Sequence, residues 1–387
     1  MTTWLNTHEL HRIARRRLPR AVSDFIDGGA EDERTLAANR RSFERCELVP
    51  RVLTDVSRID LTRSVCGTEL SLPVLLAPVG LSRLIGPGGD VAAAAAARRT
   101  GTVAVISSAS SDRLADVARA AGPQWFQLYP WVDRGLTGAL MDLAWEVGYR
   151  TLCLTVDVPV LGARERDVRN GFGIPLRPSR ATLPDVLRHP RWWWRRLAGS
   201  DITVANLETL PGRGSRGGTL SFAERNAELN DPSVSWEDAE WIRQRWDGPA
   251  VVKGVMHPGD ARAAQQLGFD GIIVSNHGGR QLDGAPATLD VLPAIREAVG
   301  RGMDLLLDGG VRRGADVVRA VALGADAVLI GRPWLWALAV DGQAGIERLL
   351  TLLRAELTRV LALTGCTSIG AVDEDVLWPP GSLASRR

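Results

Sequence analysis

AVVKGVMHPGDARAAQQLGFDGIIVSNHGG, residues 250–279, is the stretch on which the fold turns. Its first six residues are apolar and largely β-branched, broken only by Lys253 and Gly254. Pro258 then opens an alanine-rich segment, 258–267, suited to a helix that begins with proline at its first position. Gly268 stands where that helix should end in a left-handed residue. A second β-branched run, 271–276, follows at once. Strand, helix and strand in about thirty residues form one parallel crossover unit.

Outward from that unit the alternation repeats. Strands are expected at 74–77, 102–107, 125–129, 151–157, 250–255, 271–276, 304–309 and 327–331, which makes eight. Helix-like stretches lie between most of them, at 89–100, 114–121, 136–147, 258–267, 289–299 and 315–323. Gly148 and Gly324 punctuate two of these as Gly268 does the fourth. Eight alternating units match an α/β protein of the closed (β/α)8 TIM barrel type better than an open sheet. We expect a single domain over 1–387. Residues 1–70 form an N-terminal helical extension, with helices at 10–18 and 21–26 before the Gly28-Gly29 break. A long excursion after strand 4, 165–235, exceeds an ordinary loop.

Composition bounds the partners. The 387 residues are 45% hydrophobic, and 47 Lys+Arg against 45 Asp+Glu give a net charge of +2. No basic field argues for nucleic acid. The four cysteines are scattered without metal spacing, so a reduced cytoplasmic setting is expected. The first ten residues lack an apolar segment, so no secretory signal is expected. Lys253 is the sole lysine, every other basic side chain being arginine. Retention of one ammonium in so arginine-biased a chain points to a site that needs it.

The active site of such a barrel lies at the C-terminal ends of its strands. There stand Pro78-Val79-Gly80, Ser107-Ser108, Gln127-Leu128-Tyr129, Thr155-Val156-Asp157, Lys253, Ser275-Asn276-His277, Asp308-Gly309-Gly310 and Gly331-Arg332. Polar groups gathered at one end of apolar strands need partners, since each costs on the order of 1–3 kcal/mol when buried alone. Gly309 with Arg312, and Gly331 with Arg332, follow strands seven and eight, where this fold typically binds phosphate. His277 is the candidate base and Asp157 its orienting carboxylate. Arg164 and Arg280 can clamp a carboxylate with paired hydrogen bonds. The alternative is surface ion pairs with Glu165 and Asp283. Tyr129 is either a hydrogen-bond donor to a substrate oxygen or a core aromatic.

At these residues the chain resembles the FMN-dependent 2-hydroxy-acid dehydrogenases and oxidases, the family of glycolate oxidase and of the L-lactate and mandelate dehydrogenases. The matching segments are SNHGGRQLDG (275–284), LDGGVRRG (307–314), LIGRP (329–333), FQLY (126–129), LTVDVP (154–159), VVKGV (251–255), LGARERDVRN (161–170) and LPRAVSDFIDGGAEDE (18–33). The resemblance implies FMN as cofactor. Its phosphate would fall on Gly309, Arg312, Gly331 and Arg332. Its ring would fall near Val79, Gly80, Ser107, Gln127, Thr155 and Ser275, with Lys253 at one edge and Asp308 close by. It implies oxidation of an (S)-2-hydroxy acid to the 2-oxo acid, with His277 as base, Asp157 assisting, Arg164 and Arg280 on the carboxylate and Tyr129 on a substrate oxygen. It also implies a homotetramer. Electrons would pass to a quinone or another acceptor. The alternatives are an O2-using oxidase and a flavoenzyme modifying a peptide-like substrate in a biosynthetic cluster.

Three positions depart from the family. Phe25 stands where relatives carry a tyrosine near the substrate carboxylate. Ala109 replaces a bulky aromatic, and Gly80 replaces the alanine of many oxidases. These departures imply a roomier pocket, a larger acid and a dehydrogenase. Two readings stand for RHPRWWWRR, 188–196. Trp192, Trp193 and Trp194 can meet an anionic bilayer at the inner face of the cell membrane. Otherwise they pack under the barrel rim or in an oligomer interface.

Overall fold

The structure is a computed structural model that describes residues 3–122, 124–172, 183–198, 204–208 and 231–378. Eight parallel strands form the barrel: β1 (Val74–Leu76), β2 (Val105–Ser107), β3 (Trp125–Leu128), β4 (Thr151–Thr155), β5 (Ala250–Val255), β6 (Gly271–Val274), β7 (Asp304–Leu307) and β8 (Ala327–Ile330). Each pairs with its sequence neighbour from β2 to β8, and β8 pairs with β1. A parallel bridge between Leu76 and Ala104 closes the ring between β1 and β2.

The strands are buried along almost their whole length, as expected where helices cover a parallel sheet. Leu75, Val105, Trp125, Cys153, Val251, Ile273, Leu306, Ala327 and Leu329 share one buried cluster. Six of the eight strands end one or two residues before the expected position. The residues after the last ladder bond turn off the sheet, which frees their side chains and backbone groups at the rim.

The expected helices are present, within two residues of the anticipated bounds, at Gly89–Thr100, Leu114–Ala121, Arg134–Glu146, Pro258–Gln266, Thr288–Val299 and Gly314–Ala322. Gly148, Gly268 and Gly324 have φ of 102°, 75° and 108°, as left-handed terminators. The extension holds α1 (Thr7–Arg17), α2 (Arg20–Asp27) and a third helix, α3 (Arg34–Arg45). Arg332–Thr364 runs on from β8 with a break in helical geometry at Asp341 and Gly342.

The described parts of the excursion are mostly helical. Glu165–Arg169, Leu183–Arg188, Pro190–Ala198 and Ala205–Glu208 are its helices. They are tied to the body by a few bonds. Trp192 Nε1 donates to Leu84 O at 3.1 Å, Arg20 N to Asp185 Oδ2 at 2.6 Å, and Leu114 N to Asn206 Oδ1 at 2.9 Å. Residues 173–182, 199–203 and 209–230 lie outside the described residues. Among the described residues, no helix is long and apolar enough to cross a membrane.

Candidate active site

One cleft opens at the C-terminal ends of the strands and encloses about 1160 Å³, open solvent at its mouth included. Val79, Gly80, Ala109, Tyr129, Arg164, Lys253, His277, Arg280, Asp308, Gly309, Arg312, Gly331 and Arg332 all line it, with Phe25 from α2. Ser107, Gln127, Thr155 and Ser275 are each at most 2% exposed and lie behind that surface.

His277 follows β6 in a left-handed conformation, φ 57°, and Gly278 and Gly279 continue it at 65° and 75°. Three consecutive residues in this region reverse the chain so that the imidazole returns over the strand ends. Such strain persists only where neighbours enforce it. Here the His277 N–H donates to Ser275 Oγ at 3.1 Å. Asn276 exchanges two 2.9 Å hydrogen bonds with Asn39 of α3. The helical extension therefore braces the histidine loop.

His277 Nδ1 lies 3.0 Å from both oxygens of Asp157. Burial lowers the imidazole below its ordinary value, opposed by the Asp157 charge and assisted by Lys253 and Arg164. Burial would raise the Asp157 carboxyl, but His277 and Lys253 outweigh it and bring it below the usual range. The pair at rest is thus neutral imidazole against carboxylate. Its Nδ1–H is turned to Asp157, which leaves Nε2 as an acceptor.

Lys253 sits at an irregularity in β5, where the register shifts between Lys253 and Val255. Gly254 there has φ 107°. Lys253 Nζ donates to Ser275 Oγ at 2.9 Å and pairs with Asp308 Oδ2 at 3.2 Å. Burial alone would lower the pKa of the ammonium. Asp308 and Asp157 more than compensate and raise its pKa. A fixed cation is thereby held at the floor of the cleft.

The arginines are placed for anions. Arg280 Nη1 donates to the carbonyls of Phe25 and Gly28 at 2.7 and 3.0 Å. Arg164 Nε is buried without a hydrogen-bond partner among the described residues. Burial, then Arg164 and Arg332, bring Arg280 well below the usual guanidinium range. Burial, then Arg332 and Arg40, lower Arg312 to about 9. Such a concentration of buried cation favours phosphate and carboxylate ligands. The alternative surface ion pairs are not formed: Asp283 accepts from the Thr35 N–H, and Glu165 pairs with Arg169. Instead Asp167 feels Arg280 and Arg164, which oppose the upward push of its burial.

Tyr129 is pushed up to about 12 by burial and the Asp157 charge, so its phenol is a hydrogen-bond donor. Phe25 stacks face to face on Phe172, 4.5 Å between centroids and 7° apart, and carries the Arg280 guanidinium 5.2 Å from its ring centroid. A methyl added at Gly80 would come within 3.3 Å of the Ala109 Cβ, so these two small residues share one space.

These residues fit a flavin mononucleotide. Gly309 and Gly310 are left-handed at 86° and 105°. Gly331 is the N-cap of the helix from Arg332, with no side chain capping it, which presents backbone N–H groups to an anion. Arg332 donates through Nε, Nη1 and Nη2 to the carbonyls of Ile26, Gly278 and Gly28. Gln127 Nε2 and Asp308 Oδ1 are buried polar atoms without partners among the described residues, as a polar ring system would require. Gly254, Phe172 and Asp167 were not anticipated from the sequence. Only Gly254 carried a signal, as a glycine within a strand.

The three tryptophans of the excursion divide. Trp193 is 8% exposed and packs edge-on against Trp192, 5.0 Å between centroids. Trp192 bonds to the barrel rim through Leu84. Trp194 alone is well exposed, at 73%, with Leu187 at 72%. The apolar surface available to a bilayer is therefore smaller than a run of three indoles implies, because two of the rings face the protein.

Residues 14–379 match the family model of FMN-dependent dehydrogenases. The chain is 44% identical over 378 residues to an L-lactate oxidase of Nostoc sp., covering 96% of this chain and 98% of that one. It is also 44% identical to an L-lactate dehydrogenase of Caulobacter sp., at 96% and 98% coverage. Among solved structures, a monotopic membrane protein, (S)-mandelate dehydrogenase, superposes with a TM-score of 0.90 at 38% identity, covering 97% and 99% of the two chains. A mandelate oxidase superposes at 0.83 and 39%, covering 96% and 97%.

Proposed function

The chain belongs to the FMN-dependent dehydrogenase family, with FMN as its cofactor, and from that premise we propose that it oxidises an (S)-2-hydroxy acid to the 2-oxo acid with His277 as base. The relatives described above include an L-lactate oxidase, an L-lactate dehydrogenase and an (S)-mandelate dehydrogenase. The observation that carries the reading is the His277–Asp157 pair, 3.0 Å apart, whose His277 lines the same cleft as Arg164 and Arg280.

Bound FMN supplies the acceptor for the two electrons that leave the substrate Cα. The chain does the rest. Arg164 and Arg280 hold the carboxylate by charge-assisted hydrogen bonds. Tyr129 donates to a substrate oxygen. His277 Nε2 takes a proton from the substrate, and the resulting imidazolium is stabilised by Asp157. Lys253 offers its ammonium to negative charge that develops at the floor of the cleft. Gly309, Arg312, Gly331 and Arg332 hold the phosphate.

Gly80 and Ala109 leave room beside the reacting centre, which supports an acid with a branched or aromatic side chain. A quinone or another membrane carrier is the proposed electron acceptor, reached at the inner face of the cell membrane. The monotopic neighbour and the exposed Trp194 and Leu187 support this part. A second reading, O2 as acceptor, is favoured by the lactate oxidase relative. Anaerobic mixing of the yellow holoenzyme with L-lactate and with (S)-mandelate tests the reaction, since turnover bleaches the flavin band. Absence of bleaching with every 2-hydroxy acid would remove the proposal. Mixing the bleached enzyme with O2 or a quinone analogue separates the acceptors.

A further inference from the structure

Trp336 lies one turn into the helix that begins at Arg332 and is 5% exposed. The Arg312 guanidinium carbon is 5.0 Å from its ring centroid. The His11 ring stacks on the same indole, 4.3 Å between centroids and 29° apart. The indole N–H donates to Asp27 Oδ1 at 3.0 Å, and Asp27 Oδ2 lies 2.6 Å from His11 Nε2. Three residues from α1, α2 and the last barrel helix thus converge behind one arginine of the cleft.

We propose that Trp336, fixed by His11 and Asp27, is the positioning residue that aims Arg312 at the phosphate of FMN. The proposal rests on the reading that Arg312 meets that phosphate. Arg312 and Arg332 are held in opposite ways. Arg332 is oriented by three carbonyls, which occupy each of its nitrogens. Among the described residues the Arg312 guanidinium donates only to its own Val311 carbonyl, at 2.8 Å. Among the described residues no carboxylate lies within ion-pair distance of it. An aromatic face attracts a guanidinium through the ring quadrupole and uses none of its N–H donors. Arg312 therefore keeps its donors for a doubly charged oxyanion, which a planar fork meets bidentately. Asp27 locks the indole by its N–H, and His11 fills the space that would let the ring tilt.

The test compares FMN with riboflavin, which has the same ring and no phosphate. Dissociation constants are measured by flavin fluorescence on the full-length apoprotein and on Trp336→Leu, Trp336→Phe, His11→Ala and Arg312→Met. Trp336→Leu should weaken FMN at least tenfold and leave riboflavin unchanged. Trp336→Phe, which keeps an aromatic face, should recover most of the loss. His11→Ala, a change at a half-buried side chain that spares the core, should lower the FMN preference several-fold. In the Arg312→Met background the Trp336→Leu change should have no further effect. Equal weakening of both flavins by Trp336→Leu would make the residue merely structural and overturn the proposal. Loss of the phosphate preference in Arg312→Met but not in Trp336→Leu or His11→Ala would overturn it while leaving the phosphate reading intact. An unchanged preference in Arg312→Met would remove the phosphate reading, and this proposal with it.

Discussion

Asp157 is packed against the bare Cα of Gly254: a Cβ added there would meet the Asp157 Cβ at 2.5 Å and its Cγ at 2.8 Å. The glycine also takes φ 107°, which side chains rarely adopt. The neighbour of the sole lysine on β5 is therefore what lets the carboxylate of β4 stand beside His277. Gly254→Ala should keep the protein yellow, because the phosphate residues are remote in the chain. It should lower kcat on the order of 10²-fold, within the range that a positioned acid–base group contributes. Flavin content and kcat measured on one preparation decide this, and an unimpaired kcat contradicts it.

Replacing the base itself should cost more. His277→Gln should retain FMN and lose roughly 10²–10⁴ in kcat. The imidazole must be unprotonated to act, and burial lowers its pKa from the ordinary 6.5. Falling pH therefore protonates it late, and the acid limb of kcat/KM should lie below 6.5. Asp157→Asn removes the charge that opposes this shift, so the limb should move further toward acid as the plateau drops. A limb at neutral pH or above would contradict the assignment.

The arginine clamp should appear in KM. Charge-assisted hydrogen bonds are each worth about 1.5–3 kcal/mol, so Arg164→Ala should raise KM for a 2-hydroxy acid roughly 10- to 150-fold. Hydroxy amides of the same size should be affected much less, because they lack the carboxylate. Steady-state kinetics with the matched pair measures the difference, and equal effects on both would count against the clamp.

Lys253 is joined to Asp308 in a site where both are nearly inaccessible. Lys253→Met strands the carboxylate, a change that typically costs about 3–5 kcal/mol. Thermal unfolding of the apoprotein should show it directly. Lys253→Met/Asp308→Asn should recover most of that stability and none of the flavin reduction rate, which separates the structural role of the pair from its electrostatic one.

Membrane contact should depend on Trp194 and not on its neighbours. Trp194→Glu alters an exposed ring, so folding and FMN content should be unchanged. Its cosedimentation with vesicles containing anionic lipid should fall several-fold, and binding of the parent should weaken with salt. Equal sedimentation of parent and variant would place the contact elsewhere.

The barrel was legible because its evidence is local. Each apolar run needs only its own residues and the turn signals beside it, and all eight strands lie where those runs lie. Strand ends were overextended, as at 125–129 against Trp125–Leu128, because ladder hydrogen bonds and not hydrophobicity end a strand. α3 was not resolved within the extension, since RTLAANRRSFER is too rich in arginine to show a plain apolar face. The site was legible where polar residues stand at strand ends. Contacts made across the chain left no such trace. Gly254 against Asp157, Phe172 on Phe25 and Trp336 behind Arg312 are products of packing between distant segments. The tryptophan run left two readings open for the same reason, because which indoles face inward depends on what Leu84 offers them.

Thr155 and Lys253 are ladder partners even though the whole excursion lies between them in the chain. Closing a loop grows costlier only logarithmically with its length, about 0.6 kcal/mol for each doubling. Natural selection can therefore lengthen, shorten or exchange the middle of that insert almost without penalty to the barrel. On the proposed reading, where the enzyme resides in a cell and which redox chain it feeds can evolve independently of the chemistry it performs.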